Sequence, residues 1–132
     1  MLRSKPFLLL LSVVLGSALS VDSRAQAVYG SISGTVTDAA GAVVPNATVT
    51  ITSVERGTSD TVQTNDSGLY VKERLLPGLY EVKVEQANFK QKIVQKITIN
   101  VDTSTSVDVS LEAGQITEVV TITGAEGDQL KT

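Results

Sequence analysis

Leu76-Pro77-Gly78-Leu79-Tyr80-Glu81-Val82-Lys83-Val84 sets a Pro-Gly corner ahead of a strict two-residue alternation. Pro followed by Gly is the order favoured by type II turns, because Pro presets φ and Gly accepts a positive one. Beyond the corner, Tyr80, Val82 and Val84 fall on one face and Glu81, Lys83 and Glu85 on the other. That is the period of a pleated strand with one dry side and one wet side.

The same period extends in both directions from this strand. Upstream, Ile32 and Val36 alternate with hydroxyl residues over 31–37, and Ala47, Val49 and Ile51 alternate with Thr48, Thr50 and Thr52. Between these two runs, Asp38, Gly41, Pro45 and Asn46 mark a loop with a constrained return. Thr64-Asn65-Asp66-Ser67-Gly68 is a second turn, with Asx-type side-chain acceptors and a glycine free to take positive φ before Leu69-Tyr70-Val71. The stretch from Val54 to Ser59 reads as a short hairpin loop leading into a short strand over 61–64. Downstream, Ile93, Ile97, Ile99 and Val101 suggest one strand, Val107, Val109 and Leu111 another, and 116–123 a last extended run. Seven strands and a tail, with turn signals between them and no helical period after residue 27, predict an all-β, seven-stranded sandwich.

The opening residues have a different character. Arg3 and Lys5 precede an apolar run over 7–15, and Ala25-Gln26-Ala27 offers the small side chains of a signal-peptidase site. A helical signal peptide over 1–27 is therefore expected, since the apolar run is shorter than the roughly 20 residues that span a bilayer. The chain carries 11 basic and 14 acidic residues. Loss of Arg3, Lys5, Arg24 and Asp22 with the leader makes the remainder more acidic still, which argues against nucleic acid as a partner.

No cysteine is present, so this exported domain must hold by packing and strand pairing without disulfide staples. The sequence also has no histidine, which removes the usual general base and the imidazole metal ligands. Neither a G-x-S-x-G elbow nor an S-x-x-K pair occurs after the leader. Asn65, Asp66 and Ser67 supply too few oxygens for calcium and are better explained as turn chemistry. Lys83, Lys90, Lys92 and Lys96 form a basic group that alternation divides between faces, as in a solvated surface. The sequence thus points to a non-enzymatic domain and calls for no cofactor or metal.

Three motifs, in order, resemble the carboxypeptidase regulatory-like domain, a prealbumin-like sandwich within the carbohydrate-binding-like fold group. Ser33-Gly34-Thr35-Val36-Thr37-Asp38 with Gly41, Pro45, Ala47 and Val49 is similar to its first strand, G-x-x-x-P loop and second strand. Thr64 to Tyr70 resembles its central turn, and Leu76 to Val84 with Ala87-Asn88-Phe89-Lys90 resembles its L-P-G-x-Y-x-V-x-V strand and closing turn. The chain departs from the pattern at Asn88, where the family has glycine and where Asn is the next best residue at positive φ. It departs again at Lys72, where relatives carry an aromatic. Either the strand ends at Val71, the favoured reading, or Lys72 snorkels its ammonium to the rim while its stem packs, and each spares the chain a buried unpaired lysine.

Relatives of this type precede many TonB-dependent outer-membrane receptors. The resemblance implies a leader over 1–27, a sandwich over 28–113 and, over 114–132, an extended tail like the seam into a receptor plug. Glu118, Val119, Val120, Thr121, Ile122 and Thr123 then resemble a TonB box, a strand offered for β-augmentation by the periplasmic domain of TonB. Their plainer reading is an eighth strand or a linker. The implied partners are proteins, a receptor barrel or TonB, with outer-membrane association only through such a partner and with the periplasm or outer membrane as the location. The alternative is a glycan-binding module. It requires Tyr29, Phe89 or another aromatic to lie exposed, since Tyr70 and Tyr80 are expected in the core.

Overall fold

The computed structural model describes residues 28–124, so the leader expected over 1–27 and the end of the tail lie outside the described residues. The described residues form an all-β sandwich of nine strands rather than the expected seven: β1 (Gly30–Asp38), β2 (Thr48–Ser53), β3 (Ser59–Gln63), β4 (Leu69–Leu75), β5 (Gly78–Glu85), β6 (Gln91–Ile99), β7 (Ser104–Ser106), β8 (Val109–Leu111) and β9 (Val119–Thr123). The excess has identifiable sources. The run expected around Val107 is split into two three-residue strands, whereas β3, expected over 61–64, begins two residues earlier, at Ser59. The tail supplies β9.

In the smaller sheet β1 is central, antiparallel to β4 on one side and parallel to β7 and then β8 on the other. The larger sheet has the order β3-β2-β5-β6-β9, antiparallel except for the parallel β6–β9 pair. The inward faces meet in one core that includes Ile32, Val36, Val49, Ile51, Tyr70, Tyr80, Val82, Val84, Ile99 and Leu111. Burial of such β-branched and aromatic side chains drives the two layers together. Both expected core tyrosines are there, each with its hydroxyl satisfied. Tyr70 donates to the Val107 carbonyl at 2.6 Å, and Tyr80 donates to the Leu76 carbonyl.

The turns follow their sequence chemistry. Asn65 Oδ1 accepts from the amides of Ser67 and Leu69 at 2.9 and 3.0 Å, and Gly68 takes φ 74°. Asn88 adopts φ 72°, the role expected for it at the glycine position. The Pro77-Gly78 corner is wider than a type II turn, for Gly78 has φ 149° and already opens β5. This corner is held from outside, where Glu55 Oε1 accepts from the Leu79 amide and Arg56 donates to the Pro77 carbonyl.

β4 does not end at Val71 but continues to Leu75. Lys72 keeps the inward direction of Tyr70, yet it sits on an edge strand, where its stem packs and its ammonium reaches Asp60 of β3 at 3.8 Å. Snorkelling to the rim thus removes the cost that an early strand end would have avoided. An inward-pointing charge on an edge strand also discourages pairing with a stray strand.

Two bulges reset the alternation. In β4 the register passes from Ile32↔Lys72 to Gly30↔Leu75, so that Glu73 and Arg74 together face one residue, Ser31. In β6 it passes from Val82↔Val94 to Tyr80↔Ile97, so that Gln95 and Lys96 face Glu81. Arg74 and Lys96 take φ 61° and 58°, the left-handed conformation of a bulge. Each bulge lets apolar residues on both sides of it face inward, Tyr70 with Leu75 and Val94 with Ile97. Because of this Ile93, expected on the same face as Ile97, is only half-buried, and Val101 lies in the turn after β6. A left-handed conformation costs a residue with a Cβ on the order of 1 kcal/mol. Lys96→Gly is therefore expected to raise unfolding stability by about 0.5 kcal/mol once glycine's entropy is offset, as measured by urea denaturation.

Candidate functional site

Two surface features are candidates for a site, the β9 edge and a cleft at the opening of β1. β9 is laid on the sandwich by the segment before it. The Lys90 amide donates to the Glu112 carbonyl, the Gly114 amide donates to the Asn88 carbonyl, and Phe89 bridges Ala113. The Lys90 ammonium lies 3.7 Å from Glu112 and 3.5 Å from Glu118. These pairs are half-exposed, so each contributes little, but together they fix where β9 begins.

The Gln91 amide donates to the Glu118 carbonyl at 2.8 Å, and the ladder runs from Gln91↔Val119 to Gln95↔Thr123. In a parallel ladder alternate residues bond the neighbour, so Glu118, Val120 and Ile122 turn their main-chain groups toward β6. Those of Val119 and Thr121 turn outward. Ile122 packs against the core, whereas Val119 is 51% exposed. All six residues expected as a partner strand are thus brought together, as a docked edge strand and its entry. β9 is the last strand of its sheet, with no strand on its outer side among the described residues.

The cleft lies at the other end of the small sheet and is lined by Tyr29, Ser31, Glu73, Arg74, Asp102 and Ser104, with a volume of about 400 Å3. Its floor is rigid. The Asp102 amide donates to the Tyr29 carbonyl at 2.9 Å and the Ser31 amide to the Thr103 carbonyl at 3.0 Å. Gly30 is required there, because a Cβ would come within 2.3 Å of the Asn100 carbonyl oxygen. Tyr29 is 43% exposed, whereas Phe89 is largely turned against the core. Of the two aromatics expected as a platform, Tyr29 is the open one. Arg74 and Glu73 escape a sequence reading because strict alternation fails at the bulge. The available signal is that Leu75 falls out of step with Tyr70.

Among the described residues no group of three or more carboxylates could hold a metal ion. Among the described residues the one strongly perturbed titratable group is Tyr70, whose phenol is pushed well above its ordinary range by burial and by the nearby Asp108 carboxylate. It is a packing residue with its proton committed to Val107, remote from the cleft.

The model of the carboxypeptidase regulatory-like domain matches residues 31–112. No curated protein matches the chain. Among solved structures the chain is similar to the TIE protein of Bacillus anthracis, with 20% identity, TM-score 0.56, and coverage of 64% of this chain and 16% of that one. It is also similar to GBS52, the minor pilin of Streptococcus agalactiae, with 13% identity, TM-score 0.54, and coverage of 72% and 49%. A Bacteroides uniformis protein provisionally described as carbohydrate binding has 21% identity, TM-score 0.51, and coverage of 61% and 40%. The chain spans less than half the length of each, and at these identities the likeness is one of fold alone. The family match covers more than half of the sequence and holds the three motifs in order: the chain belongs to the carboxypeptidase regulatory-like domain family.

Proposed function

We propose that this non-catalytic module is exported and serves as an accessory or N-terminal extension of a TonB-dependent outer-membrane receptor, with β9 as its protein-contacting strand. The observation that carries the reading is the state of the β9 edge. The strand lies beyond the family-matched residues, has one side paired to β6 and turns the main-chain groups of Val119 and Thr121 outward. An open edge of this kind accepts an incoming strand through main-chain hydrogen bonds. The family and the extracellular pilin-type fold neighbours support a surface or extracytoplasmic setting.

The test is titration of the exported chain against the periplasmic domain of TonB, beside a version ending at Ala113 and a Thr121→Pro variant. Proline at 121 removes an outward N–H and leaves the β6 ladder in place, so the fold is retained. Binding by the intact chain, abolished by the truncation and weakened at least about 10-fold by Thr121→Pro, is the expected result, the size being that of one or two lost main-chain hydrogen bonds. Equal binding by all three, or by none, removes the β9 contact.

A second reading, a glycan-binding module, is favoured by the exposure of Tyr29 over a polar cleft. Sugar-binding surfaces combine such an apolar ring with polar groups that fix orientation.

A further inference from the structure

We infer that the cleft formed by Tyr29, Ser31, Glu73, Arg74, Asp102 and Ser104 is a binding site for a neutral oligosaccharide. The inference rests on the glycan-binding reading and gives it a place and a ligand class. Its volume of about 400 Å3 falls within the range of small-molecule clefts, roughly 300–1,000 Å3.

Its polar groups are uncommitted. Glu73, Arg74 and Asp102 enter none of the ion pairs among the described residues, and neither their side chains nor the Tyr29 hydroxyl makes a hydrogen bond there. A guanidinium offers donors in a fixed fork and each carboxylate offers two acceptor oxygens, the complement of vicinal hydroxyls that both donate and accept. Tyr29 adds an amphipathic ring against which the apolar C–H face of a sugar can lie.

Charge decides against an anion. One guanidinium stands beside two carboxylates, so a phosphate, a uronate or a nucleic acid meets net repulsion, whereas an uncharged polyol does not. The frame around the groups is stiff. Arg74 is placed by the β4 bulge and Asp102 by a left-handed turn at φ 57°, each in a sparsely populated conformation. Tyr29 is tied by its carbonyl to the Asp102 amide. The backbone that carries these groups is thereby fixed before binding, and the cost left to binding is the ordering of their free side chains.

The test uses the chain purified after export, labelled for amide NMR and titrated with cellohexaose, xylohexaose and maltohexaose, and with polygalacturonate as the acidic probe. The expected result is saturable binding of at least one neutral sugar, with shifts confined to 29–31, 73–74 and 102–104. Tyr29→Ala and Arg74→Gly should each weaken it at least about 10-fold. Both variants keep the fold, the first because the ring is exposed and the second because glycine accepts the left-handed backbone at 74. Shifts over another surface would overturn this site and leave the glycan-binding reading standing. Failure of all four probes to bind overturns both, and binding of polygalacturonate alone overturns the neutral class.

Discussion

Gly34→Ala is expected to destabilise the sandwich by about 3 kcal/mol or more, among the largest effects of any methyl-sized change in the chain. A Cβ at this position would lie 1.9 Å from the Val107 carbonyl oxygen and 2.9 Å from the Tyr70 ring. The first neighbour is backbone and cannot rotate away. β1 would have to separate from the 107 segment, yet the Val107 amide donates to the Ser33 carbonyl at 2.8 Å and the parallel pairings of β7 and β8 flank that bond. The glycine of the S-G-T-V-T motif thus serves close approach of two chains and not a turn. For a domain of this size the loss corresponds to a fall in Tm on the order of 15 °C, measurable by thermal or urea denaturation. A Tm within a few degrees of the parent would mean that the β1–Val107 approach is looser than described.

Tyr70→Ala is expected to cost about 4 kcal/mol, because the ring is almost fully buried on the small sheet's inner face and its removal leaves both a cavity and an unpaired carbonyl. Tyr70→Phe keeps the ring and isolates the hydrogen bond to Val107, for about 1 kcal/mol. The phenylalanine variant also gives a pH signature. The phenol pKa is raised in the folded state by burial and by Asp108, so the folded chain retains the Tyr70 proton where the unfolded chain has lost it. The stabilisation from the neutral phenol is fully present below the unfolded value of about 10 and is lost as pH rises from there toward the higher folded value. Unfolding stability of the parent should fall above pH 10, and that portion of the fall should be missing in Tyr70→Phe.

Much of the sandwich is legible in the sequence because its central strands obey one rule. From Tyr80 onward every inward residue of β5 is apolar and every outward one charged, and the turns at Asn65–Gly68 and Asn88 carry their own conformational chemistry. What escapes reading has physical causes. β3, expected over 61–64, has its bounds at Ser59–Gln63 instead, because an edge strand exposed on most of its length carries no apolar period to mark where it starts. The bulges at Arg74 and Lys96 each insert one residue, after which strict alternation assigns the following side chains to the wrong face. β7 and β8 pair in parallel with successive parts of β1, and three residues each hold too little pattern to mark the boundary between them.

The candidate sites divide in the same way. The 118–123 run is apparent as a strand, but its docking onto β6 depends on Lys90, Glu112 and Glu118, which meet only through the fold. Tyr29 stands out as one of few aromatics, yet its partners come from the β4 bulge and the turn after β6, more than 40 residues away in the sequence. No local motif can encode that assembly.

If β9 is a docked strand whose outer edge receives a protein partner, both its docking and its partner leave a trace in backbone exchange. Amide hydrogen exchange of the exported chain, with and without the periplasmic domain of TonB, addresses both halves together. The Val120 and Ile122 amides are expected to be slow in the free chain, and the Val119 and Thr121 amides fast until the partner is added and slow afterwards. Fast exchange throughout 118–123 in the free chain, or no added protection at Val119 and Thr121 with saturating partner, would contradict it.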